Sequence, residues 1–129
     1  MFKGNNMNEE IILKSEDGVG IITLNRPERL NSLTYNIVKK MNDFLDKCES
    51  DDDIKCVIIE GAGEKAFCAG GDVVSLRKQV LDEGGPPTEL SEKFFYDEYL
   101  LNYKINNFTK PYIALIDGVT MGAVSYTHL

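Results

Sequence analysis

Histidine is almost absent from this 129-residue chain: the one that occurs, His128, stands one residue from the C-terminus. A Ser-His-Asp or Cys-His mechanism would have to recruit that terminal residue, so such chemistry fits poorly. Cysteine is scarce and odd in number (Cys48, Cys56 and Cys68), and no pair has metal-ligand spacing. That usage suits a reducing, intracellular compartment rather than a disulfide framework, and it suggests no metal site. Cys68 lies among glycines, where a nucleophile would be reachable. No histidine stands near enough in sequence to activate it, so a structural thiol is the better reading.

Long apolar runs are missing too. None approaches the roughly 20 residues that a membrane-spanning helix needs. The first ten residues, MFKGNNMNEE, lack the apolar core of a signal peptide and are too acidic and arginine-poor for a typical transit peptide. An excess of basic residues is likewise absent: the formal net charge is -7. Phosphate backbones and anionic membrane surfaces both want a basic face, so the reading is no nucleic acid and no membrane as partner. What remains is an ordinary globular balance, 43% hydrophobic and 27% charged, in a length that suits one small domain.

Strands are expected at residues 11–14 and 19–24, joined by an Asp17-Gly18 hairpin signal. Pro27 ends the second strand. Thr34 is placed to cap a helix in which Leu33, Ile37, Met41, Phe44 and Cys48 recur at helical spacing, with Val38 and Leu45 beside them. A buried strand, 56–59, follows the solvated Asp51-Asp52-Asp53 break. Then comes a glycine-punctuated loop, 61–71, and a second helix capped by Asp72 and running to about Leu81. Residues 82–87 read as a linker, 88–105 as a third helix, and 112–116 as another buried strand before an Asp117-Gly118 turn. The alternation predicts an α/β layer fold.

The most informative stretch is Ala66-Phe67-Cys68-Ala69-Gly70-Gly71-Asp72. It follows a buried strand and opens a helix. Glycine lets backbone approach a ligand closely, and a helix N-terminus presents unpaired N–H groups with a partial positive charge. Such a loop suits an oxyanion hole for a thioester, in which one donor is typically worth about 3 kcal/mol. It reads equally well as an ordinary strand-to-helix connection. Gly61-Ala62-Gly63-Glu64-Lys65-Ala66 also fits a dinucleotide fingerprint, but the helix starts too late for it and the matching acid, Asp82, falls in the linker. On the third helix, Glu98 shares an apolar stripe with Leu90, Phe94, Leu101 and Ile105. The pattern alone favours a carboxylate at the stripe's margin, reaching solvent or a lysine. The other reading is a substrate-contacting acid that faces a pocket.

Three segments in order resemble the crotonase (enoyl-CoA hydratase/isomerase) superfamily. Asn25-Arg26-Pro27 followed by Leu30-Asn31-Ser32-Leu33 is similar to its N-R-P-x-x-x-N-A-L segment. The segment 66–72 resembles its oxyanion loop, and 110–118 resembles the strand leading to its second oxyanion glycine. Phe94-Phe95-Tyr96-Asp97-Glu98-Tyr99-Leu100-Leu101-Asn102 is similar to the F-F-x-x-E-Y-x-L-N helix of the 3-hydroxyisobutyryl-CoA hydrolase branch, and Cys68 with A-G-G-D and Thr120-Met121-Gly122 fit that branch too.

The resemblance implies an α/β crotonase-like fold of ββα spiral repeats, present here as an incomplete N-terminal portion over 11–123. Residues 1–10 are then a flexible lead, and 124–129 a tail that does not match the family. It implies hydrolysis of a branched hydroxyacyl-CoA thioester in valine breakdown, with coenzyme A carried by the substrate and no separate cofactor. Hydratase or isomerase chemistry of the same superfamily is the alternative, and a non-catalytic fragment is the alternative of another class. By resemblance, the N–H groups of Gly71 and Ala123 are the oxyanion donors, Glu98 contacts substrate, and Ser32, Ala69 and Asp72 line the coenzyme A cleft. Family members supply further carboxylates in M-P-E and F-P-D segments, which Val124-Ser125-Tyr126-Thr127-His128-Leu129 does not match. The expectation is therefore a chain inactive by itself. The full-length enzyme is compatible with a homo-oligomer in a mitochondrial or peroxisomal setting.

Overall fold

The computed structural model describes residues 9–84 and 89–122. Its first two strands, β1 (Ile11–Glu16) and β2 (Val19–Leu24), form an antiparallel hairpin. Asp17 and Gly18 turn it with φ of 51° and 82°, the left-handed pair that matches the twist of the flanking strands. Helix α1 (Tyr35–Ser50) then carries the chain back, so that β3 (Cys56–Gly61) pairs parallel to β2. After β4 (Ala66–Cys68), α2 (Val73–Asp82) and α3 (Glu89–Asn106), strand β5 (Tyr112–Leu115) joins β3, again parallel. The main sheet order is β1-β2-β3-β5, and a second, small sheet pairs β4 with β6 (Val119–Thr120).

Both caps read from the sequence are made. The Thr34 hydroxyl accepts the N–H of Ile37 at 3.2 Å, and Asp72 accepts the N–H of Ser75 at 3.0 Å. The apolar face of α1 packs Ile37, Val38, Met41, Leu45 and Cys48 against Ile22 and Leu24 of β2 and Val57 and Ile59 of β3, all essentially buried. Each fully buried aliphatic side chain among them stabilises the fold by about 1.5–3 kcal/mol. Helix α3 lies on α1, where Asn42 Nδ2 donates to the Asp97 carbonyl at 3.0 Å and Lys104 pairs with Asp46 at 2.8 Å.

The structure departs from the sequence reading in the connections. The 61–71 stretch is not one loop: β3 runs on to Gly61, and Ala66–Cys68 forms β4. Val119–Thr120, to which the sequence reading gave no element beyond the Asp117-Gly118 turn before it, is its partner strand. Helix α2 extends to Asp82, and β5 stops at Leu115. Pro27–Arg29 forms a short 3₁₀ turn. Among the described residues strand β5 is the outer strand of the main sheet, with no strand paired to its far edge, and Ile113, Leu115 and Ile116 are 44%, 51% and 40% exposed beside it. The expectations for residues 1–8 and 124–129, and for Ala123, lie outside the described residues.

Candidate active site

The glycine loop is held from both sides. On one side it lies along residues 30–33: the Ala69 N–H donates to the Leu30 carbonyl, Leu33 N–H to the Gly70 carbonyl, and Asp72 N–H to the Leu33 carbonyl, at 3.0, 2.7 and 2.8 Å. In this parallel bridge, the residue between the bonded ones keeps its own N–H free. That residue is Gly71, and among the described residues its N–H has no acceptor. On the other side runs the β6 segment. Val119 N–H donates to the Lys65 carbonyl at 3.0 Å and Met121 N–H to the Cys68 carbonyl at 2.9 Å. The second donor expected from the sequence, Ala123 N–H, follows directly after Gly122 and lies outside the described residues.

Glu98 comes to the same place from α3. A Cβ built on Gly71 would lie 3.5 Å from Glu98 Oε1 and 3.5 Å from Phe94 Cζ. The Glu98 side chain therefore sits over the bare Gly71 backbone, with Phe94 beside it. Glu98 is half-buried, and burial pushes its carboxyl above the usual range. Among the described residues it has neither a hydrogen bond nor an ion pair. Among the described residues, a backbone N–H without an acceptor and a carboxyl without a partner thus belong to neighbouring residues.

The remaining predicted residues are engaged inside the protein. Arg26 Nη1 donates to the Ser32 carbonyl at 2.8 Å and to the Ser32 hydroxyl at 3.1 Å. Arg26 Nη2 pairs with Asp72 Oδ2 at 3.0 Å, with both side chains buried. Burial alone would raise the Asp72 carboxyl. The Ser75 N–H and hydroxyl and the Arg26 guanidinium outweigh it and hold the group below the ordinary carboxylate range. Ala69 is half-buried and contributes backbone only. Asp72, Arg26, Ser75, Gln79, Leu90 and Phe94 are among the residues that line a cleft of about 410 Å³. Phe94 is the wall this cleft shares with Gly71. Cys68 is buried and its thiol is pushed up to about 11 by that burial, so it stays protonated and is no nucleophile. Among the described residues no group of three or more His, Cys, Asp or Glu could hold a metal, and no helix is long and apolar enough to cross a membrane.

Sequence reasoning overlooked Arg26. Its signal was present: Gly20, Ile22 and Leu24 alternate inward on β2, and Arg26 is the next inward position. A guanidinium there must find a carboxylate, and Asp72 is the buried one. Asn31 was also passed over. Its amide donates to the carbonyls of Ala62 and Ala66, both at 2.9 Å, and so fixes the turn into β4.

The sequence model of the family described as enoyl-CoA hydratase/isomerase matches residues 19–124. The chain belongs to that family. Its fold is accordingly the crotonase fold, as the three motifs implied. Among curated relatives, the mitochondrial 3-hydroxyisobutyryl-CoA hydrolase of Danio rerio is 45% identical over 113 residues, covering 88% of this chain and 28% of the relative. The Homo sapiens enzyme of the same name is 42% identical over 123 residues, covering 95% and 31%. A crystal structure of a carnitinyl-CoA dehydratase from Mycobacterium thermoresistibile superposes with a TM-score of 0.81 at 41% identity, covering 90% of this chain and 33% of its own. The chain thus spans about a third or less of the length of these family members.

Proposed function

We propose that Gly71 and Glu98 form the acyl end of a coenzyme A thioester site, and that the reaction this site serves is hydrolysis of a short branched hydroxyacyl thioester, 3-hydroxyisobutyryl-CoA. The observation that carries the reading is the free Gly71 N–H with the unengaged Glu98 carboxyl beside it. The names of the relatives support the substrate class. In hydrolysis, water adds to the thioester carbon, the carbonyl oxygen takes negative charge, and the C–S bond then breaks to release the coenzyme A thiol. The Gly71 N–H, at the entrance to α2, donates to that oxygen, with the Ala123 N–H as the expected second donor. Glu98 contacts the acyl group. The oxyanion donors lower the barrier but do not take a proton from water, and that step needs a base. Of the two carboxyls flanking Gly71, Asp72 is held by Arg26 and Ser75, and Glu98 serves the substrate. The 129-residue chain therefore binds the thioester without turning it over. An odd number of cysteines without metal-ligand spacing suits a reducing compartment, and the relatives' names favour the mitochondrion.

The test is calorimetric titration of the chain with 3-hydroxyisobutyryl-CoA and with coenzyme A alone, alongside a thiol-release assay. The expected result is tighter binding of the thioester, no thiol release, and loss of the difference in Gly71→Val. Hydration of an enoyl-CoA by the chain would move the assignment to hydratase chemistry. Binding of no coenzyme A compound would make it a non-catalytic piece.

A further inference from the structure

A groove of about 460 Å³ lies between β1 and α1 and shares no lining residue with the cleft beside Gly71. Leu13 and Phe44, both half-buried, belong to its apolar lining. Lys14, Lys40 and Lys47 line it against two carboxylates, Glu9 and Asp43. That positive balance stands out in a chain of net charge -7. Three other cavities among the described residues each set two acids against one base. Lys14 is paired with Glu16 at 3.7 Å, whereas Lys40 and Lys47 have no ion pair among the described residues. The groove also follows a sheet edge. Strand β1 begins the order β1-β2-β3-β5, and among the described residues no strand pairs with its other side. The Asn25 N–H donates to the Glu10 carbonyl, so in this antiparallel register Glu10, Ile12 and Lys14 bond toward β2. The N–H and carbonyl groups of Leu13 and Ser15 are then directed to the open side.

We propose that this groove docks an extended acidic peptide segment of a partner protein, which adds to the β1 edge as a further strand. Two features select that occupant. The open N–H and carbonyl groups of Leu13 and Ser15 match a backbone in the extended state, and strand addition draws its affinity from such main-chain bonds. Lys40 and Lys47 select its charge. They stand seven residues apart on α1, about 10 Å along the helix, with Phe44 between them. On one face of a strand, side chains i and i+4 stand about 13 Å apart, with i+2 between them. An acid, an apolar residue and an acid at those three positions meet Lys40, Phe44 and Lys47 within reach of the flexible lysine stems. Residues 1–8, the chain's own segment next to Glu9, carry one charged side chain, the basic Lys3, and so lack the acids that the lysines call for.

The probe is a fluorescent, end-capped peptide, Thr-Glu-Thr-Ile-Thr-Glu-Thr, titrated with the 129-residue chain and followed by anisotropy. One control peptide has lysine for both glutamates. The other keeps the sequence and carries a methyl group on the isoleucine nitrogen, which removes one ladder donor. The acidic peptide is expected to bind about tenfold more tightly than either control, and more weakly as salt rises. In the double variant Lys40→Glu, Lys47→Glu, with unchanged circular dichroism, the preference over the lysine peptide is expected to vanish. No binding of the acidic peptide, or equal binding of the lysine peptide, overturns the proposal. Equal binding of the methylated peptide means attraction of charge without strand addition and overturns it as well. A preference that survives in the double variant puts the site elsewhere and overturns it. The chain lacking residues 1–8 is expected to bind as the full chain does. Binding only in their absence would make those residues the occupant, and a partner's segment would be ruled out.

Discussion

Gly122 and Gly70 pack backbone against backbone: a Cβ on Gly122 would lie 2.6 Å from the Gly70 Cα, and a Cβ on Gly70 would lie 3.1 Å from the Gly122 Cα. Both have positive φ, 89° and 92°, a region that other residues adopt only under strain. This contact, together with the Met121 to Cys68 bond, sets the β6 segment against the loop that carries Gly71.

Substituting Gly122 by alanine should therefore act twice, through the left-handed backbone and through the clash with a backbone atom that cannot swing aside. A loss of about 2 kcal/mol or more is expected in urea denaturation. Acyl-CoA binding should fall with it, because the Gly71 loop loses its neighbour. An unchanged denaturation midpoint would mean that β6 does not hold the loop.

Arg26→Met should be the most damaging change in the first motif. It removes the buried cation paired with Asp72 and leaves that carboxylate to the Ser75 hydrogen bonds alone, a loss of about 3 kcal/mol. Asp72→Asn should cost less, since asparagine still caps α2. The double variant should lose less than the sum of the two, because the residues act on one another. Additive losses in denaturant titrations would show that the pair is not coupled.

Glu98 gives a pH signature. Burial raises its folded pKa above the unfolded one, so its stabilising contribution is fully present below the unfolded value and is lost as pH rises through the folded value. Glu98→Gln keeps the neutral shape and removes that loss. The melting temperature of the variant should match wild type near about pH 4 and exceed it near about pH 8. Asp72 runs the other way: its contribution is present above its unfolded pKa and lost as pH falls through the lowered folded one. It acts alike in both proteins, so the difference isolates Glu98. A difference that does not change with pH would place the carboxyl in solvent.

Lys110 closes the end of α1. Its Nζ donates to the carbonyls of Cys48 and Asp51, the latter at 2.7 Å. A cation at a helix C-terminus also meets the favourable end of the dipole. Lys110→Met should cost about 1 kcal/mol in thermal or urea denaturation, whereas Lys110→Arg should cost less.

The parts legible in the sequence were those set by local pattern. The α1 periodicity from Ile37 to Cys48, the Thr34 and Asp72 caps, and the Asp17-Gly18 turn each need only a few neighbouring residues, and each stands in the structure. Strands β4 and β6 escaped because they have three and two residues and pair across more than fifty positions; no period develops over so short a run. The link from Arg26 to Asp72 spans 46 positions, so only the inward alternation of β2 hinted at it. Glu98 was ambiguous for a related reason. A helical wheel places it on the stripe's flank but cannot say that the facing residue is a glycine with no side chain to fill the space.

The pairing of β4 with β6 also sets an order in time. The half of the glycine loop that rests on residues 30–33 can form once residue 72 has left the ribosome, since all its partners are already made. The half that rests on residues 119–122 must wait for some fifty more residues, roughly 3–10 s at ordinary elongation rates. During that interval β3 has no β5 beside it, and its unpaired edge is open to other chains. A newborn chain is thus most in need of a chaperone while α2 and α3 are being made, and the Gly71 donor is among the last features of the described fold to be fixed.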